Sequence, residues 1–134
     1  MKPSPFLTHR EILVNGDYSA AGFLRDFTMA MFAGEASPAN CSGIRNLDPN
    51  HMRIFFELAS SYNANGENDA DFMEVCQAIR RERRDYAARI KKTLDDVLAT
   101  DPDSYEGGRD EHRSSVRFYS AEHEKNVARG WFWP

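Results

Sequence analysis

The chain has 134 residues, of which 41% are hydrophobic and 28% charged, with a formal net charge of −4. That length supports one domain with its own core, and two cysteines cannot make a disulfide framework, so a chain that depends on staples is excluded and a reducing cytoplasmic setting is expected. The opening MKPSPFLTHREI lacks the apolar region of a signal peptide, and the most apolar window, 27–33, is too short to span a bilayer, so no membrane association is expected.

In chain order, Thr8-His9-Arg10-Glu11 fits a capping box, with Thr8 as N-cap and Glu11 reaching back. A short helix through Ile12, Leu13 and Val14 then stops at Gly16, a natural left-handed cap. Asp17 or Ser19 caps the next helix, about 19–33, where Phe23, Leu24, Phe27, Met31 and Phe32 fall at helical spacing and Gly34 ends it. Residues 34–48 are rich in small and turn-forming side chains and read as a loop. Asp48-Pro49 places an N-cap before a proline at the first helical position, and Met52, Phe55, Phe56, Ala59 and Tyr62 mark that helix's core face. Asn63-Ala64-Asn65-Gly66 stops it.

One long helix follows, about 69–100. At about 100° per residue, Val75, Cys76, Ile79, Tyr86, Ile90, Leu94 and Val97 fall within about 60° of Phe72, a coherent core stripe. Arg83 sits in the middle of it, where Leu or Ile is expected. Its guanidinium must be partnered, snorkel out, or mark where the stripe meets something other than this core; a salt bridge to a carboxylate of a neighbouring helix is the favoured account, with Glu57 a candidate. Between Arg80 and Lys92, seven basic residues face only Glu82 and Asp85, while seven acids between Asp95 and Glu111 face only Arg109. Arg80, Arg84 and Lys91 gather on one flank of the helix, with Arg81 and Lys92 further round.

Residues 101–116 carry two adjacent glycines and no apolar period, and read as a polar linker. Val116–Tyr119 is expected to be a short extended piece, and Ser120 to cap a last helix reaching about Arg129. Trp131-Phe132-Trp133-Pro134 closes the chain and is expected either to fold back on the bundle or to anchor in a partner. The fold class is therefore mainly α: a small bundle of four to five helices built around the long one. It is organised as a bundle over 1–100, a linker over 101–116 and an extension over 117–134, a single domain overall.

No glycine-rich phosphate loop, nucleophile elbow or H-E-x-x-H pattern is present, and His9, His51, His112 and His123 show no metal-ligand spacing. Cys76 lies on the core stripe and Cys41 in a loop, with no activating cation beside it in sequence. No catalytic, cofactor or metal site is expected. The reading is a non-catalytic protein-binding module, such as a regulator, adaptor or inhibitor, using Arg80, Arg81, Arg83, Arg84 and Lys91 together with Trp131, Phe132 and Trp133. The alternatives are a nucleic-acid-binding regulator using 80–92, which the acidic pI near 5.5 opposes, and a small enzyme or ligand-binding bundle. The basic and acidic blocks would also suit a homodimer in which they pair between copies.

Overall fold

The computed structural model describes residues 2–32 and 39–134, and the described residues contain helices and no strand. Gly34 and the first part of the 34–48 loop lie outside them. The helices are α1 (Pro5–Thr8), α2 (Arg10–Asn15), α3 (Ser19–Met31), α4 (Pro49–Asn65), α5 (Ala70–Ala99) and α6 (Gly108–Ala128), with 3-10 turns at Cys41–Asn46, Gly66–Asn68 and Pro102–Ser104. The mainly α class and the single long helix are as expected. Two compact units divide inside α5, one covering 1–80 and the other 81–134.

The first unit begins one turn earlier than the capping-box pattern implies. Ser4 is the N-cap, accepting from the Phe6 amide, and Pro5 supplies the preset φ of a first helical position. Thr8 is the last residue of α1, where its hydroxyl donates to the Ser4 carbonyl, and Glu11 accepts from the Asn15 side chain instead of closing a box. The Ser4 hydroxyl also donates to Asp69 Oδ2 at 2.6 Å, while Asp69 Oδ1 takes the Asp71 amide at 2.9 Å. One Ser–Asp pair thus caps α1 and ties it to the start of α5.

Gly16 is extended rather than left-handed (φ −62°, ψ 130°), so it is not the expected cap. Glycine is needed for space: a Cβ there would meet Ala21 Cβ at 2.5 Å and the Ile12 carbonyl at 2.6 Å. Arg25 holds this turn from α3, donating to the Leu13 and Gly16 carbonyls, and burial lowers its pKa. Tyr18 is the N-cap residue of α3 and makes no side-chain capping bond, so neither Asp17 nor Ser19 is the N-cap.

Asp48 does cap α4, accepting from the His51 amide at 2.9 Å, and Pro49 follows at the first position. The buried face of α4 is set by Ile54 and Leu58, with Phe55 and Tyr62 partly buried; Phe56, expected inside, is 59% exposed. The core gathers Phe6, Leu13, Leu24, Met29, Ile54, Leu58 and the α5 residues Phe72, Val75, Cys76 and Ile79. Phe72 is its hub, edge-on to Phe6 at 4.9 Å and tilted against Tyr62 at 5.1 Å. Truncating so buried an aromatic costs about 3–5 kcal/mol.

In the second unit, the rest of α5 turns through Pro102–Ser104 into α6. The expected linker is a clamped turn and the first turns of a helix. Asp101 caps the Pro102 turn, Asp103 pairs with Arg109, Tyr105 donates to Ser115 Oγ at 2.9 Å, and His112 Nε2 donates to the Val97 carbonyl at 2.9 Å. Gly107 and Gly108 adopt φ of 93° and 87°, the left-handed backbone from which α6 starts. Val116–Tyr119 is helical rather than extended, and Ser120 lies mid-helix rather than at a cap. The core stripe continues as Ala87, Ile90, Leu94 and Val97, whereas α6 contributes Asn126 as its one fully buried residue.

Candidate partner-binding surface

The tail is placed by the way α6 ends. Gly130 turns left-handed at φ 76°, the Gly130 amide bonds the Val127 carbonyl, and the Trp131 amide reaches back to the Asn126 carbonyl at 2.9 Å. This is a Schellman closure, and it reverses the chain onto the helix it has just left. Phe132 adds a second amide to the Asn126 carbonyl at 3.3 Å and meets the His123 ring edge-on at 4.8 Å.

Two guanidinium groups then lie over the Trp131 ring. Arg83 lies 4.7 Å from its ring centroid and Arg129 lies 3.4 Å away, while Tyr86 meets it edge-on at 6.3 Å. Arg83 is 6% exposed, and the Trp131 ring is one of the groups its charge meets. Glu57, the carboxylate expected for it, is bonded instead to His9 at 2.7 Å and to Arg53 at 2.5 Å. Glu122 completes the cluster, accepting from Tyr86 Oη at 2.8 Å and from Arg129 at 3.2 Å. Burial, with the Glu122 carboxylate second, pushes the Tyr86 phenol up.

Trp133 differs from its neighbours. It sits 5.4 Å from the Arg84 guanidinium and is 68% exposed. Arg81 and Arg89 are also exposed and make no ion pair among the described residues. The other basic residues are engaged: Arg80 lies over the Phe32 ring at 4.8 Å in the first unit, Lys91 pairs with Asp95 and Lys92 with Asp96. The helix therefore neutralises the end of its basic block with the acids one turn on, and the expected flank of Arg80, Arg84 and Lys91 is divided among three different environments. Arg129 and Glu122 are the participants that sequence reasoning missed, and Tyr86 was read only as part of the core stripe. An Arg-Gly-Trp run at a helix end was the available signal, because a C′ glycine returns the next side chain to the helix.

A second surface belongs to the first unit, where Pro49, Met52, Arg53, Phe56, Glu57 and Ser60 line a shallow, mainly apolar groove on α4. Among the described residues no three His, Cys, Asp or Glu side chains gather around a common point. The histidines have structural neighbours: His51 bonds Asp48 at 2.8 Å and Tyr18 at 3.0 Å, at the start of α4. No helix among the described residues is long and apolar enough to cross a membrane. No protein-family model, curated protein or solved structure matches the chain. The functional reading therefore rests on the side chains themselves.

Proposed function

We propose that the chain is a non-catalytic protein-binding module, a small regulator, adaptor or inhibitor working in the cytoplasm. The observation that carries this is Trp133, 68% exposed beside Arg84, at the end of a tail whose preceding residues are docked. A tryptophan presented from an ordered base gives up little freedom on binding, and Trp and Arg are both enriched at the energetic centres of protein interfaces. Arg81 and Arg89 add exposed guanidinium groups that grip carboxylates in bidentate fashion. The matching partner is a protein with an apolar slot inside an acidic rim. The test is quantitative affinity capture from native cells with wild type, Arg81→Glu with Arg84→Glu, and Trp133→Ala. Both variants should lose the same proteins while keeping wild-type far-UV circular dichroism. Unchanged capture by both would overturn the reading.

A further inference from the structure

One strip of α6 lies at the surface. Glu111, Ser114, Phe118, Ala121, Lys125 and Ala128 are all exposed, and at about 100° per residue they fall within about 80° of Phe118. Phe118 is 58% exposed, and among the described residues neither Glu111 nor Lys125 takes part in an ion pair. Those two charges stand at equal distances on either side of Phe118, seven residues before it and seven after.

We propose that this strip is the interface of a symmetric dimer, with two α6 helices antiparallel about a two-fold axis passing beside Phe118. In that arrangement a residue n positions before Phe118 faces the residue n positions after it in the second copy. Glu111 meets Lys125 of the second copy, and the same pair recurs on the other side of the axis. Phe118 meets its own counterpart, and Ser114, Ala121 and Ala128 let the backbones come close. A parallel pair would instead set Glu111 on Glu111 and Lys125 on Lys125, so the charges select the antiparallel one. The occupant fits because the strip is complementary to itself. The interface is separate from the Arg84–Trp133 surface, so either can fail alone.

Sedimentation velocity over a concentration series tests it. Wild type should dimerise; Glu111→Lys and Lys125→Glu should each weaken the dimer roughly tenfold or more; and the two together should restore it, because the charges are merely exchanged. Phe118→Cys in a Cys41→Ser background should form a disulfide-linked dimer under mild oxidation, since a residue on the axis lies against itself. Circular dichroism confirms that each variant folds. A wild type that stays monomeric at every concentration, or a dimer that ignores both single charge reversals, would overturn the proposal.

Discussion

Arg83 shows how one side chain reconciles two demands. Its position calls for an apolar residue and its chemistry for a partner. The Trp131 ring helps to meet both, because its π face lies 4.7 Å from the guanidinium and the ring itself is apolar. Arg83→Ala should therefore destabilise the protein by about 2 kcal/mol or more, read from the midpoint of urea unfolding; an unchanged midpoint would mean that the stack contributes nothing. Glu57 offers a prediction in pH. His9 donates to it and Arg53 adds a second bond, so its pKa lies below the usual 4.5. A depressed carboxylate adds stability that is complete above its unfolded pKa and is lost as pH falls through the folded one. Melting temperature should drop on acidification below about pH 4.5, and Glu57→Gln should flatten part of that drop. Parallel curves for the two proteins would contradict it.

At the level of elements, the tail is a graded structure. Trp131 is fixed by two cations and a Schellman bond, whereas Trp133 is mostly in solvent. Deleting 131–134 should lower the melting temperature by several degrees, whereas Trp133→Ala should change stability by less than about 0.5 kcal/mol. Equal effects from the two would mean that Trp133 belongs to the core. The elements also differ in how plainly the sequence announced them. α4 was legible because Asp48-Pro49 is local chemistry that needs no tertiary help, and α5 because its stripe keeps the helical period from Phe72 to Val97. α6 was not, because the groups it turns inward are His112, Ser115 and Asn126, whose contacts are hydrogen bonds rather than apolar burial. The start of α1 was misplaced because Ser4 and Thr8, four residues apart, are both competent caps, and Asp69, distant in sequence, selects Ser4. That Arg83 and Arg129 would both lie over Trp131 was not legible, since it depends on the reversal at Gly130.

Over the whole molecule, charge is distributed in a way that bears on the partner. Residues 1–80 carry the entire net −4, and residues 81–134 balance eleven basic against eleven acidic side chains. A unit balanced in this way, with Lys91 and Lys92 already paired, has no broad positive field to hold a phosphate backbone. Fluorescence anisotropy with generic duplex DNA and RNA should show no binding at moderate salt; binding that weakens steeply with added salt would move the Arg-rich helix to a nucleic-acid role. The proposal that the Arg84–Trp133 surface meets a protein is tested most directly by oxidative footprinting of the two tryptophans in native cells and in the purified protein. Trp133 should be readily oxidised when purified and protected in cells, with Trp131 weakly labelled in both. Equal labelling of Trp133 in the two settings would mean that nothing covers this surface where the protein works, and would contradict the account.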